Sequence, residues 1–323
     1  MTTFHVFWWT VGGFAVYFFI PLRGHVGGFY LCPATPFADK IDYTGVEFPM
    51  AGNETRILVL TDFHFLGIPL GVDSRTERRI REMVNRHDPE LILILGDNIS
   101  TLGPNHWAQR RLIRVMDSLG IPWAPLFGNH DANGKADVEW LANRFEESEN
   151  ALFRWGPNNI GVPGNYFINI THAGEVVHTI FMVSSKEARI FTQNYHPYTP
   201  EQIAWYRWAT EGINDMAGRE VPSSVMLHIP LPAFENVTDA RVFHAGCDNG
   251  FFDTIYELGI TRNIIAGHCH SNAFAYKYRG ITLASVPALT GNIGMLGAPG
   301  RNRGGMVMTV SADGSTQLDI VWL

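Results

Sequence analysis

Polar residues follow three short apolar segments, and this arrangement constrains the fold more than any other feature of the sequence. Residues 57–60 lead into Thr-Asp-Phe-His, residues 90–95 into Gly-Asp-Asn, and residues 123–127 into Gly-Asn-His-Asp. Helical patterns follow the first two loops, at residues 74–87 and 106–119. Alternation of strand, loop and helix predicts a mostly parallel sheet, with its ligand site at the carboxyl ends of the strands.

The first predicted helix carries its own start signal. Ser74 is a suitable N-cap, and Glu77 three residues later completes a capping-box pattern. The arginines of this helix are interpreted as a solvated face rather than as a binding patch; they lie at positions 75, 78, 79 and 81.

The second half of the chain has a stronger β pattern. Residues 165–170 and 176–184 predict a β-hairpin, and residues 200–216 predict a helix. Strands are also predicted at residues 223–227, directly before His228, and at residues 263–266, directly before Gly-His-Cys-His. β-Rich sequence then continues from residue 273 to residue 321.

Size and charge limit the classes of function. The chain has 323 residues, 46% of them hydrophobic, which is enough for one domain with a large core. A formal net charge of -7 argues against binding to nucleic acid or to an anionic membrane surface. An anionic substrate would therefore need a local positive centre, such as metal ions.

The N-terminal segment is apolar enough to be a membrane anchor or a leader. Residues 1–22 contain no Asp, Glu, Lys or Arg, and residues 4–22 approach the roughly 20 residues of a spanning helix. The alternative is a buried or mis-started segment of a soluble protein, because Gly12, Gly13 and Pro21 weaken the helical pattern. We favour membrane association through residues 4–22 over a cytoplasmic location. Residues 23–55 are interpreted as a lead-in, irregular over residues 33–52.

Seven polar side chains at the strand ends form a plausible metal-binding set. In extended backbone, residues two apart lie on the same side of the chain, so Asp62 and His64 are expected to face together. Imidazole-rich ligation suits zinc, iron or manganese better than magnesium or calcium. Two metals with about four protein ligands each and one shared carboxylate need seven residues. The candidates are Asp62, His64, Asp97, Asn129, His228, His268 and His270.

Five motifs, in this order, resemble those of the calcineurin-like metallophosphoesterase superfamily. They are Asp-x-His at 62–64, Gly-Asp at 96–97, Gly-Asn-His-Asp at 128–131, His228 after a strand, and Gly-His-x-His at 267–270. Residues 227–234 and 249–252 are similar to small phosphatases related to purple acid phosphatases, including the fungal Dcr type. The resemblance implies an α/β fold over residues 56–323, a β-sandwich of mixed sheets flanked by helices in α/β/β/α layers.

The resemblance also implies how the ligands divide. One metal would be held by Asp62, His64 and His270, and the other by Asn129, His228 and His268, with Asp97 bridging the two. The ions would be divalent or trivalent transition metals, namely manganese, iron or zinc.

Two further residues are expected to take part in catalysis. The side chain of His130 diverges from that of Asn129, and we expect it to stabilise or protonate the leaving oxygen, with Asp131 fixing its tautomer. Purple acid phosphatases have a metal-binding tyrosine three residues after the bridging aspartate, where this chain has Ser100. An obligatory ferric ion and a purple colour are therefore not implied.

The implied activity is hydrolysis of a phosphomonoester by in-line attack of a metal-bridging hydroxide. The expected substrate is a phosphorylated small molecule or a phosphoprotein, and no nucleic-acid binding is expected. One alternative is a phosphodiesterase acting on a nucleotide or a lipid headgroup. Another is a non-catalytic interaction module on the same fold.

Overall fold

The computed structural model of the chain describes residues 45–68, 71–100, 105–131, 135–157, 159–185, 198–237, 250–290 and 303–323. The strands in these residues are β1 (Gly45–Pro49), β2 (Glu54–Leu60), β3 (Leu91–Leu95), β4 (Trp123–Leu126), β5 (Asn165–His172), β6 (Glu175–Val183), β7 (Ser223–Leu227), β8 (Thr261–Ala266), β9 (Phe274–Tyr278), β10 (Ile281–Ser285), β11 (Gly304–Ser311) and β12 (Thr316–Trp322). The α-helices are α1 (Val72–His87), α2 (Asn105–Asp117), α3 (Lys135–Glu146), α4 (Pro200–Ala217) and α5 (Phe251–Leu258).

Strands β2, β3 and β4 run parallel, as the alternating pattern predicted. They belong to a five-stranded sheet with the order β12-β11-β2-β3-β4, in which β11 and β12 are antiparallel. Helices α1 and α2 follow β2 and β3, and they form the crossovers that parallel neighbours require. The carboxyl ends of β2, β3 and β4 therefore meet at one edge of this sheet.

A second sheet has seven strands in the order β1-β5-β6-β7-β8-β10-β9. The predicted hairpin is confirmed, because β5 and β6 pair antiparallel. Its two connecting residues, Ala173 and Gly174, have φ angles of 51° and 84°, as a tight hairpin turn requires. Strands β6, β7 and β8 are parallel, so β7 and β8 end at the same edge of this sheet.

The side chains of the seven-stranded sheet alternate between two hydrophobic cores. In β5, Ile168 packs in the core shared with the five-stranded sheet, whereas Phe167 packs with α4 and α5. The same alternation separates Met226 from Val225 in β7. Helices α1, α2 and α3 contribute to the first core. The predicted layers, helices on both sides of two mixed sheets, are confirmed.

Two predictions near the start of the domain were wrong. Residues 45–49 were expected to be irregular, but they form β1, in which Gly45 pairs with Phe167 of β5. Ser74 was expected to cap α1, but the helix begins at Val72 after Gly71, which has a φ of 72°. The Ser74 hydroxyl instead accepts a hydrogen bond from Arg111 of α2 at 2.8 Å. The residues that Gly45 and Ser74 contact, Phe167 and Arg111, both lie far away in the sequence, where local patterns give no information about them.

The proposed membrane segment, residues 4–22, lies outside the described residues, as does most of the lead-in. Among the helices that the structure describes, none has both the length and the apolar character needed to cross a bilayer. Membrane association through residues 4–22 stays a prediction.

A buried histidine far from the strand ends makes the stability of the fold sensitive to acid. The Nδ1 atom of His178 lies 3.0 Å from the Gly314 carbonyl and therefore donates, while Nε2 accepts from the Ser224 hydroxyl at 2.9 Å. Burial lowers the pKa of His178 from 6.5 to about 4. The unfolded chain thus binds a proton more readily, and stability falls as the pH drops from 6.5 towards 4.

We predict that His178 alone costs the protein about 2 kcal/mol of unfolding free energy between pH 7.5 and pH 5. Urea unfolding of the wild type and of His178→Gln at both pH values measures this difference. The variant should lose less stability on acidification by about that amount. Parallel pH dependence of the two proteins would contradict the prediction.

Candidate metal centre

All members of the predicted ligand set lie just beyond the carboxyl end of a strand. In the five-stranded sheet, β2, β3 and β4 supply four of them, and in the seven-stranded sheet β7 and β8 supply three. The structure brings the strand ends of the two sheets together at one site. The residues are Asp62, His64, Asp97, Asn129, His228, His268 and His270.

The backbone at the ligands is not extended, which corrects the predicted reason for their convergence. Asp62 and His64 have φ angles of 57° and 46°, so alternation along a strand does not explain why they face together. Asp97 and His268 are also left-handed, at 51° and 66°. Non-glycine residues rarely adopt this conformation, and it concentrates at functional sites. Tight turns after the strands, rather than extended backbone, therefore orient these side chains towards one another.

Two glycines allow the strand-end loops to approach closely. A Cβ atom on Gly96 would lie 2.6 Å from the backbone nitrogen of Gly128 and 2.8 Å from the His228 ring. A Cβ atom on Gly128 would lie 2.4 Å from the Asp97 carboxylate. Any side chain at either position would push Asp97 and His228 apart. The glycine in each Gly-Asp and Gly-Asn motif is thus needed for packing.

The first cluster contains four ligand atoms within 4.8 Å of one another, from Asp62, His64, Asp97 and His270. The Nε2 atoms of His64 and His270 are 3.2 Å apart. Oδ1 of Asp62 lies 3.0 Å from Nε2 of His270 and 3.6 Å from Nε2 of His64. Two imidazole nitrogens and a carboxylate oxygen thus converge on one point.

The second cluster is built around His228 and shares Asp97 with the first. Ligand atoms of Asp97, His228 and His268 lie within 4.8 Å of one another. Nε2 of His228 is 3.2 Å from Oδ1 of Asp97 and 3.0 Å from Oδ1 of Asn129. Oδ2 of Asp97 faces the other cluster, 3.5 Å from Nε2 of His64. The two oxygens of Asp97 therefore point to different clusters, as a bridging ligand requires.

Unsatisfied polar atoms show that the residues fit metal ions. Oδ1 of Asp62 is buried and has no hydrogen bond of suitable geometry, although Nε2 of His270 lies 3.0 Å away, which is unusual for a carboxylate oxygen. The close Nε2 atoms of His64 and His270 cannot both carry protons that face each other. A cation among these atoms would satisfy all three, and mixed nitrogen and oxygen donors suit manganese, iron or zinc. The donor set therefore fits two transition metal ions.

Hydrogen bonds from the surrounding residues orient the ligands. Nδ1 of His228 donates to the carbonyl of Leu95 at 2.6 Å, which leaves Nε2 free to face the cluster. Oδ2 of Asp62 accepts hydrogen bonds from the Thr61 hydroxyl at 2.9 Å and the His268 amide at 3.2 Å. These hydrogen bonds fix the orientation of His228 and Asp62 in the site.

The two carboxylates are kept ionised. Burial alone would raise the pKa of Asp97, but nearby imidazoles, led by His228, hold that pKa well below its usual range. The same opposition, led by His270, holds the pKa of Asp62 well below its usual range despite burial. Burial would lower the pKa of His228, yet Asp97 raises it to about 9. The carboxylate of Asp97 and the imidazole of His228 thus stabilise each other inside the protein.

The sequence also matches a protein family. The family model for calcineurin-like phosphoesterase matches residues 55–272, which is more than half of the chain. The chain is a member of the calcineurin-like phosphoesterase family. All seven candidate ligands fall within the matched residues, and they form the clusters described above. The protein is accordingly a hydrolase of phosphoric esters with sites for two metal ions.

Relatives of this phosphoesterase carry phosphatase names. Probable inactive purple acid phosphatase 14 of Arabidopsis thaliana is 23% identical over 304 residues, covering 79% of this chain and 75% of the relative. Phosphatase DCR2 of Saccharomyces cerevisiae is 25% identical over 203 residues, covering 58% of this chain but only 34% of DCR2. A dimetal phosphatase from Danio rerio shares the fold, with a TM-score of 0.54 and 9% identity over 83% of this chain and 99% of its own.

The carboxylate of Asp131 has hydrogen-bond partners that the sequence did not reveal. Both oxygens of its buried carboxylate are occupied, by the amides of Ile99 and Gly128 at 3.0 and 2.7 Å and by the Asn98 side chain at 2.9 Å. Burial and then the charge of Asp97 raise the pKa of Asp131 to about 7. Asp131 thus ties the β3 loop to the β4 loop.

Sequence reasoning missed several residues that position the ligands of the phosphoesterase. Thr290 donates its hydroxyl to the Asp62 carbonyl at 2.6 Å. Asp73, buried in the first turn of α1, accepts from the amides of Leu66 and Gly67 at 2.8 and 2.9 Å, and so fixes the loop that carries His64. The sequence offered one signal for Asp73, namely an acidic residue in the first turn of a helix. Such residues are also common where they do not fix a loop.

We predict that Asp97→Asn loses at least one of the two ions, because an amide cannot offer a charged oxygen to each cluster. Metal content per chain, measured by mass spectrometry after purification with manganese, is the readout. Asp117→Asn is the matched control, since Asp117 accepts hydrogen bonds from Trp123 and Ser148 outside the clusters. If Asp97→Asn bound two ions and hydrolysed a phosphoric ester as fast as the wild type, Asp97 would not be the bridging ligand.

Proposed function

We propose that the protein hydrolyses phosphomonoesters by direct attack of water, without a covalent phosphoenzyme. The observation that supports this proposal is that two complete ligand clusters share the two oxygens of Asp97. Two ions held in this way would lower the pKa of a shared water and neutralise phosphoryl oxygens for in-line attack. Phosphorylated small molecules and phosphoproteins are the proposed substrates.

The charge of the ligand set favours a phosphate. It includes only two carboxylates, those of Asp62 and Asp97, alongside four neutral imidazoles and an amide. With two divalent ions the centre would be net positive, although the chain as a whole carries -7. A dianionic monoester is therefore attracted locally to a protein that repels anions at a distance.

His130 is the residue proposed to assist departure of the alcohol. Its backbone amide donates to Oδ1 of Asp97 at 2.8 Å, which fixes the residue beside the shared carboxylate. Its ring centroid lies 5.3 Å from that of His64, and the residue is partly exposed, unlike Asn129 and Asp131. A ring nitrogen at this position can give a proton or a hydrogen bond to a leaving oxygen.

The ligand set supports an active enzyme, despite the word "inactive" in the name of the Arabidopsis relative. All seven ligands and His130 are present, and a non-catalytic module has no need for an unsatisfied buried acceptor such as Oδ1 of Asp62. The name of the yeast relative, Phosphatase DCR2, also supports phosphatase activity in this chain. We propose divalent manganese, zinc or iron as the ions.

The proposed activity predicts turnover of p-nitrophenyl phosphate that increases with added manganese and is abolished by chelation. The phosphodiester bis-p-nitrophenyl phosphate, measured under the same conditions, should be hydrolysed more slowly. Turnover of the diester alone would instead indicate a phosphodiesterase. Absence of turnover for both compounds, with two ions bound per chain, would indicate a binding module.

We predict that His130→Ala keeps both ions but lowers kcat by about a hundredfold or more on an alkyl phosphate such as glycerol 2-phosphate. The loss should be smaller on p-nitrophenyl phosphate, because its leaving group departs readily without a proton. His106→Ala, which changes an exposed residue of α2, is the control and should leave both rates unchanged. An equal loss on the two substrates, or loss of metal, would rule out the assigned role.

A further inference from the structure

A groove of about 650 Å³ lies between α1 and α2, and arginines dominate its wall. Helix α1 contributes Arg81, and α2 contributes Arg110, Arg111 and Arg114. Glu77 is the one acidic side chain among its lining residues in the described part of the chain. A concentration of positive charge in a protein of net charge -7 indicates a surface that selects anionic groups.

The arginines of the groove differ in how far they are already neutralised. Arg81 and Arg111 share the carboxylate of Glu77, at 3.2 and 3.4 Å, and each also donates to a serine hydroxyl. Arg110 and Arg114 are exposed and make no ion pair with any residue that the structure describes. The guanidinium groups of Arg110 and Arg114 therefore remain available to a ligand, whereas those of Arg81 and Arg111 are held by Glu77.

Apolar surface lies beside this charge. Trp107 lines the groove with 65% of its surface exposed, and Val115 and Ile68 also line it. Along α2, the wall extends from Trp107 to Ser118, the residue that directly follows the helix, a rise of about 16 Å at 1.5 Å per residue. An extended peptide of about five residues, at about 3.3 Å each, covers that length. A single phosphate ion would leave most of the groove empty.

The groove is close to the metal centre along the chain. Gly67 and Ile68, which form part of its wall, continue the loop that carries His64. Three residues span at most about 11 Å, so the groove wall begins within that distance of the His64 backbone. The end of the groove formed by Gly67 and Ile68 is therefore near enough for one extended substrate segment to contact both the ligand clusters and the groove.

We propose that the groove between α1 and α2 binds an acidic segment of a phosphoprotein substrate, while the phosphorylated residue lies at the metal centre. This inference rests on the proposed phosphatase function and names the substrate class. Acidic side chains three to eight residues from the phosphorylated residue pair with Arg110 and Arg114. Trp107 packs against the apolar part of the segment.

The carboxylate of Glu77 distinguishes a peptide from other anions. It lies in the wall between Arg81 and Arg111. A nucleic-acid strand carries a charge on every phosphate and would place one against Glu77. A peptide can place a neutral residue there and acidic residues on either side. The groove is also concave between two helices, whereas a bilayer presents a flat surface.

Binding of fluorescein-labelled peptides without phosphate, followed by anisotropy at low and physiological salt, tests the groove independently of catalysis. We expect an eight-residue peptide of alternating Glu and Ala to bind, and its Gln counterpart to bind at least about tenfold more weakly. Arg110→Glu/Arg114→Glu should lose about tenfold in affinity or more, because like charges then face each other. Trp107→Ala should also weaken binding.

The matched control is Arg262→Glu/Lys277→Glu, which changes the net charge equally at two exposed residues of the seven-stranded sheet. It should bind the acidic peptide like the wild type. Equal losses in the two double variants would overturn the proposal in favour of a general charge effect. Preference for an oligonucleotide or for phosphatidylserine vesicles over the acidic peptide would overturn it as well.

Kinetics connect the groove to turnover. Phosphopeptides with acidic residues on the amino or the carboxyl side of phosphoserine should show a higher kcat/KM than a neutral phosphopeptide, by about tenfold on one side. The Arg110→Glu/Arg114→Glu variant should lose this preference and keep its rate on p-nitrophenyl phosphate. Loss of both rates would assign the arginines to the catalytic centre instead. If no phosphoester is hydrolysed, the proposed function is wrong. The anisotropy measurement still shows whether the groove binds an acidic peptide.

Discussion

The shared carboxylate of Asp97 is the contact on which the site depends. It is almost fully buried, and its oxygens face His228 on one side and His64 on the other. A buried charge is costly unless it is paired, so the imidazoles that face Asp97 stabilise its carboxylate, as bound cations would. Because His228 belongs to the other sheet, the same carboxylate also joins the two halves of the sandwich.

The geometry of the site depends on backbone conformations that the strands alone would not give. Four ligands adopt positive φ angles, and the loops between them fit together because Gly96 and Gly128 lack side chains. Such conformations are unfavourable in isolation and persist only when surrounding structure enforces them. Here Asp131 joins two of the loops, and the rigid strands below them supply the constraint.

The layered fold places the candidate metal centre and the proposed substrate-binding groove on different parts of the molecule. The candidate metal ligands come from the carboxyl ends of strands in both sheets, where short loops have little freedom. The proposed recognition groove comes from the outer surfaces of α1 and α2, where exposed side chains such as Arg110 and Trp107 can change without disturbing the core. The β2–α1 loop belongs to both regions, and buried Asp73 holds it in place.

The sequence by itself determined the strands that end in polar loops, the β5–β6 hairpin, and the seven residues that meet at the centre. Those features follow from local periodicity, turn residues and motif order. Tertiary structure alone decided the pairing of β1 with β5, the start of α1, the contacts of Asp131 and the positive φ angles of the ligands. It also decided that arginines of α1 and α2 share a groove. Each of these depends on surfaces far apart in the chain, and no local pattern records which surfaces will meet.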